Sequence, residues 1–126
     1  MAYIDAEEHR KAAPLLKEAA KLGNPDAMAV YGSALLLGAG VVENGLEAVK
    51  WLQMAIDLKQ IGAASVLGMA YATGKAGVKP NYKLARELLT QAAAKGDQQS
   101  TEMLGMMNKR KGMFKYLNSL VGNLRR

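Results

Sequence analysis

The side chains with chemistry to offer are few and scattered. The chain has one histidine, His9, and no cysteine, so a site of several nitrogen or sulfur metal ligands cannot be assembled. A thiol nucleophile and a disulfide are excluded on the same count. Ser33, Ser65, Ser100 and Ser119 have only His9 to serve as a base, whereas a serine nucleophile needs an imidazole in hydrogen-bond reach and a carboxylate behind it. The acids stand singly apart from Glu7 and Glu8, which as sequence neighbours leave a helix on different sides. What remains is LLLGAGVVENG, residues 35–45, where Gly38, Gly40 and Gly45 look like a phosphate-binding fingerprint. That chemistry needs a β-strand before the loop and a ribose-binding acid about 20 residues beyond it, within a βαβ unit. The expectation is a protein that is not an enzyme and carries no cofactor.

The glycine loop comes round a second time. GAGVVENGLEAVKWLQMAI (38–56) aligns with GKAGVKPNYKLARELLTQAA (74–93) after one inserted residue. Gly38 then meets Gly74, Gly40 meets Gly77, Asn44 meets Asn81, Ala48 meets Ala85 and Trp51 meets Leu88. Upstream, AMAVYG (27–32), AASVLG (63–68) and STEMLG (100–105) fall into register at periods of 36 and 37. A loop that recurs at fixed spacing between helical patterns is punctuation. Gly38 and Gly74 stand where a helix wants a left-handed C-cap. Asn44 and Asn81 stand at N-caps, with Glu47 completing a capping-box pattern.

Each unit reads as two helices. The first (A) carries Ala27, Tyr31, Gly32 and Leu35, matched by Ala63, Leu67, Gly68 and Tyr71, one apolar face at helical spacing. The glycine within it costs about 1 kcal/mol relative to alanine and predicts a close approach by another helix. The second (B) carries Ala48, Trp51, Leu52 and Ala55, matched by Ala85, Leu88, Leu89 and Ala92. Ahead of the first full unit, AAPLLKEAAKLG (12–23) matches a second half, and its Pro14 fits a helix that begins near Pro14 instead of Ala6.

At 126 residues, half of them hydrophobic, the chain is expected to form a single domain with a buried core. Alanine, leucine, methionine, lysine and glutamate favour helix because their side chains lose little freedom there. No apolar run reaches the roughly 20 residues of a membrane span, and MAYIDAEEHRK is no signal peptide; a chain whose leader had been removed would read the same. The expected location is the cytoplasm. Eleven basic and eleven acidic side chains cancel up to Asn108, and the net charge of +6 comes wholly from Lys109, Arg110, Lys111, Lys115, Arg125 and Arg126.

LGMAY (67–71), the G-x-G-V loop and the repeated A-x-x-W/L-x-x-x-A half together resemble the Sel-one-like repeat, a relative of the tetratricopeptide class. The resemblance covers about residues 12–107. It assigns a half repeat at 12–23, full repeats at 26–60 and 62–97, a half repeat at 99–111 and a basic amphipathic C-terminal helix at 112–126. Lys59 stands where the pattern closes on glycine, and Tyr31 and Leu35 exchange the usual leucine and tyrosine. The resemblance implies an all-α fold: a short α-solenoid of antiparallel helix pairs with a C-terminal capping helix. It further implies a protein–protein interaction module, such as a bacterial adaptor or a toxin-neutralising immunity protein.

A solenoid of helix pairs lines its concave side with A helices. Met28, Met69 and Met106 lie on A helices off the repeated apolar face, where they either fill the core or meet a partner with their adaptable thioethers. With Leu36 and Thr73 they form the expected partner-binding surface. Lys109 and Arg110 at one end predict a protein partner with an acidic edge, a toxin, effector or signalling protein. The tail NKRKGMFKYLNSLVGNLRR has an apolar stripe at Met113, Phe114, Leu117, Leu120, Val121 and Leu124. It serves either as the cap of the solenoid or as a basic helix for an anionic membrane or nucleic acid.

Overall fold

Among the described residues, alanine-rich helices joined by short capped turns make up the architecture. The computed structural model describes residues 6–110, and every regular element among them is helical. In order these are α1 (Ala6–Lys21), α2 (Pro25–Leu37), α3 (Gly45–Asp57), α4 (Ile61–Thr73), α5 (Tyr82–Ala94) and α6 (98–110), with a 3₁₀ turn at Lys75–Gly77. Helices α2, α4 and α6 are A-type; α1, α3 and α5 are B-type. Antiparallel pairs form between α2 and α3 and between α4 and α5, while α1 packs on α2 and α3 on α4. This is the α-solenoid expected from the repeat. The expected capping helix, 112–126, lies outside the described residues.

The pairs close on small residues. Ala48, Leu52 and Ala55 of α3 are each 0% exposed, and Ala85, Leu89 and Ala92 of α5 are at 0–1%. The helix glycines make room for them. A Cβ on Gly32 would stand 2.8 Å from Leu52 Cγ, and one on Gly68 would stand 2.8 Å from Leu89 Cγ, closer than carbon atoms can approach. Burying a leucine in this way is worth about 1.5–3 kcal/mol, more than the propensity each glycine gives up. Tyr31 adds an edge-on ring contact to Trp51, at 5.9 Å between centroids and 74° between planes.

The turns between units use one residue for two tasks. Gly23 N–H donates to Ala20 O and Asn24 N–H to Ala19 O, the paired bonds that end a helix through a left-handed residue. Asn24 then caps α2, its Oδ1 accepting from Ala27 N–H at 3.0 Å. The same pattern recurs at Lys59 and Gln60, where Gln60 Oε1 accepts from Ala63 N–H at 2.8 Å. It recurs again at Gly96 and Asp97, where Asp97 Oδ2 accepts from Ser100 N–H at 2.8 Å. Lys59 therefore makes the glycine turn without being glycine, at φ +68°.

Within units the loops behave as punctuation. Gly38 and Gly74 are left-handed C-caps at φ +68° and +72°. Asn44 and Asn81 cap the B helices through Glu47 N–H (3.1 Å) and Leu84 N–H (3.0 Å), caps of about 1 kcal/mol each. The capping box is only half made. Asn44 N–H donates across the pair to Leu35 O at 2.9 Å, and Glu47 Oε1 instead accepts from Trp51 Nε1 at 3.3 Å. Helix α1 also differs from expectation, since among the described residues it is already helical from Ala6 and contains Pro14. In the turn before the proline, Arg10 Nε donates to Ala6 O at 3.3 Å and Lys11 pairs with Glu7 at 3.5 Å, and Gly40 of the first loop rests on the His9 and Arg10 backbone so closely that no Cβ fits. Pro14 leaves Arg10 O without its helical donor.

Candidate functional site

The A-type helices carry the site. Their exposed faces follow the repeat register in three rows: Val30, Val66 and Met103; Ser33, Met69 and Met106; Leu37, Thr73 and Arg110. Residues three, four and seven apart share a helix face, so the rows form one surface. Between α2 and α4 they border a groove of about 210 Å³, lined by Ser33, Leu36, Leu37, Val66, Met69, Ala70, Thr73 and Lys75. Three of the expected residues, Leu36, Met69 and Thr73, thus meet in one place.

The groove is more apolar than its sequence suggests. Ser33 Oγ donates to Ala29 O and Thr73 Oγ1 to Met69 O, each at 2.8 Å. Hydroxyls turned back onto their own helix have spent their proton. Leu37 is 68% exposed on the rim, Met69 is half-buried, and Lys75 is held there by Glu43, Nζ to Oε1 3.3 Å.

Other expected residues fall elsewhere. Met28 is 2% exposed and belongs to the core, which removes it from the partner surface. The reason is register: Met28 occupies the position of Ala64, itself 6% exposed, whereas Met69 and Met106 share a row with Ser33. Leu36, at 4% exposure, forms the floor of the groove more than its surface. Met106 is 56% exposed on α6, and Lys109 and Arg110 are exposed at that helix's end. Arg86 Nη1 donates to the neighbouring Asn108 Oδ1, tying α6 to α5. Leu37, Ser33, Val66 and Lys75 were missed, although the equivalence of Leu37 with Thr73 and of Ser33 with Met69 could have found the first two.

Among the described residues no group of histidine and acidic side chains is placed to hold a metal ion. Among the described residues two ionisable groups are perturbed, one by burial and one by hydrogen bonds. Burial, and then the Glu47 carboxylate, push the Tyr31 phenol up. Hydrogen bonds from the Ser100 hydroxyl and then the Ser100 N–H hold the Asp97 carboxyl below the usual carboxylate range, with a further bond from Ser65 and against a smaller desolvation effect. A second hollow of about 140 Å³ lies at the unit turn among Ile56, Lys59, Gln60 and Lys95. No helix among the described residues is long and apolar enough to cross a membrane.

Stacked helix hairpins in register, small residues at the pair contacts and an exposed A-helix groove define a tandem-repeat protein of the α-solenoid class. Two Sel1 repeats match in tandem, at residues 25–59 and 62–97, and the chain belongs to the Sel1-repeat family, whose fold generally serves as a protein–protein interaction module. The chain is similar to a protective antigen present in uropathogenic Escherichia coli strains that displays an SLR fold, with 32% identity and a TM-score of 0.74 over 81% of this chain. It spans 22% of that protein's length. It is also similar to a Sel1 repeat protein from Oxalobacter formigenes, with 33% identity and a TM-score of 0.62, covering 69% of this chain and 66% of the other. Among curated proteins, none matches the sequence.

Proposed function

We propose that the protein is a non-catalytic binding module that holds a protein partner against the A-type helices, as a bacterial adaptor or a toxin-neutralising immunity protein in the cytoplasm. The observation that carries this reading is the groove between α2 and α4, apolar in its lining with its hydroxyls satisfied internally and Leu37 left exposed on its rim. Met106 and Arg110 continue its rows onto α6, and Lys109 with Arg110 favours a partner acidic at that edge. The bacterial sources of both structural neighbours support the bacterial setting.

The test is capture of partners by the intact chain and by a Leu37→Lys/Met69→Lys variant, followed by affinity measurement with the captured protein. Both positions reach solvent, so helicity and melting should match the parent. A charge without a counterpart in an apolar contact is poorly tolerated, and affinity should fall at least about tenfold, 1.4 kcal/mol. Equal affinity in the variant would place the partner on the B-type helices or the loops.

A further inference from the structure

The first two unit turns differ in what they leave open. At the second, a hollow of about 140 Å³ is walled by the end of α3, the start of α4 and the end of α5. Ile56, Ala64 and Ala92 give it an apolar lining, with Ile61 half-exposed beside them. Lys59, Gln91 and Lys95 add only hydrogen-bond donors of positive charge or an amide, and no acidic side chain lines the hollow. Neither lysine makes an ion pair among the described residues, and the Gln91 side-chain amide makes no hydrogen bond there. Gln60 also lines the hollow but is committed, its Oε1 accepting from Ala63 N–H at 2.8 Å and its Nε2 donating to Asp26 Oδ1 at 3.3 Å.

The same corner of the preceding unit is built differently. The position of Ala64 there carries Met28, which is 2% exposed and joins the core with Ala20 and Ala55, the equivalents of Ile56 and Ala92. The positions of Lys59, Gln91 and Lys95 carry Gly23, Met54 and Leu58. One corner is thus filled by a long apolar side chain and has no donors. The other has alanine in place of the filling residue and a donor at each of three neighbouring positions.

The backbone marks the same place. Lys59 holds φ at +68° where Gly23 and Gly96 stand at +94°, a region in which any side chain is strained. Strained residues concentrate at functional sites, where the side chain is needed in spite of its conformation. The strained turn is the one that borders the open hollow.

The lining selects its ligand. Two ammonium groups and an amide call for an acceptor carrying negative charge. The apolar floor calls for a hydrocarbon body on the same molecule, which inorganic phosphate lacks. Sites for drug-sized ligands and cofactors enclose about 300–1,000 Å³, so that body is small. We propose that the hollow binds a small aliphatic carboxylate, free or as the C-terminal residue of a peptide, with its chain on Ile56, Ala64 and Ala92 and its carboxylate held by Lys59, Lys95 and Gln91. The hollow shares no residue with the groove between α2 and α4, so occupancy of one is measurable without the other.

The test is an amide-shift titration of the full 126-residue chain by NMR at fixed ionic strength, with 4-methylpentanoate as the probe. Saturable shifts should cluster at Lys59, Ile61, Ala64 and Lys95, with a Kd on the order of 1 mM for so small a ligand. The uncharged 4-methylpentanamide and the bodiless acetate should each bind at least about tenfold more weakly. Three variants restore the residues of the first unit turn: Lys59→Gly, Ala64→Met and Lys95→Leu. Each should also weaken binding at least about tenfold. Lys59→Gly relieves the backbone, so its loss of binding should come with a raised melting temperature and cannot be assigned to unfolding. A pentapeptide ending in leucine, with a free or an amidated C-terminus, separates the two sources. Tighter binding of the free-ended peptide than of 4-methylpentanoate assigns the site to a chain terminus, and weaker binding assigns it to a free acid. Absence of saturable shifts with both the acid and the free-ended peptide overturns the proposal. Equal binding of acetate, or unchanged binding in folded Lys59→Gly and Ala64→Met chains, overturns it as well.

Discussion

Lys59 holds φ at +68° in a turn whose two counterparts, Gly23 and Gly96, sit at +94°. A side chain in this region crowds its own carbonyl, at a cost of about 1–2 kcal/mol. Glycine removes the crowding but gives back about 0.5–1 kcal/mol through the greater freedom of its unfolded chain. Lys59→Gly is therefore expected to stabilise the fold by a net amount of about 0.5–1 kcal/mol. The lysine side chain is exposed, and the hydrogen bonds of the turn, Lys59 N–H to Ile56 O and Gln60 N–H to Ala55 O, are made by the backbone, so the substitution leaves them in place. For a chain of this length the gain amounts to a rise of about 2–5 °C in Tm. Urea and thermal melts followed by circular dichroism measure it, with an unchanged denaturant slope marking a native-state effect. Gly96→Lys is the matched control and should lose a similar amount. If Lys59→Gly melts at or below the parent while Gly96→Lys is destabilised, the strain argument fails at Lys59.

The helix glycines should split by environment. Gly68→Ala drives a Cβ into Leu89 and should cost about 1–3 kcal/mol through overpacking, less the propensity it gains. A Cβ on Gly105 meets nothing within 4 Å among the described residues, so Gly105→Ala should gain up to about 1 kcal/mol from propensity; equal effects on the two melts would refute the packing register. Asn44→Ala and Asn81→Ala should each cost about 0.5–2 kcal/mol in urea denaturation, and the two losses should add because the caps lie on different hairpins. The Asp97 carboxyl lies below its ordinary value because the Ser100 hydrogen bonds favour the ionised form. Its contribution is therefore complete above the unfolded value of about 3.9 and fades as pH falls from there through the lower folded value. Asp97→Asn should lose stability at neutral pH and flatten that acid limb of the stability profile; an unchanged limb would show that other carboxylates produce it.

Much of the fold was legible because its determinants are local and repeated. The glycine loops, the Asn44 and Asn81 caps and the Ala/Leu/Gly/Tyr faces each appear twice, and the second copy separated structure from phosphate chemistry. Features set by contacts between elements were less legible. Pro14 reads as a helix start, whereas the turn before it is helical, with the first glycine loop lying on the His9 backbone and Lys11 paired to Glu7. Glu47 matches a capping box, but Asn44 N–H was already committed to Leu35. At the site, Met69, Thr73 and Leu36 were placed together by counting helical turns. Met28 was misplaced because residue type, and not its equivalence with Ala64, decided its face. Leu37 escaped notice because an exposed leucine at the end of an apolar run reads as core.

The residue that ends one unit and caps the next also governs how such a chain changes length. A left-handed residue followed directly by an N-cap recurs at Gly23–Asn24, Lys59–Gln60 and Gly96–Asp97. Excision of residues 24–59 would join Gly23 to Gln60, recreating a junction of the same type and presenting α4 to α1 where α2 stood. Whole cassettes can in this way be lost or duplicated without a new linker having to be invented. Small insertions face the opposite constraint. A two-residue junction has no slack, whereas the glycine loops already differ by one residue between the two units. Length variation in this architecture is thus quantised at the unit junctions and graded only in the loops.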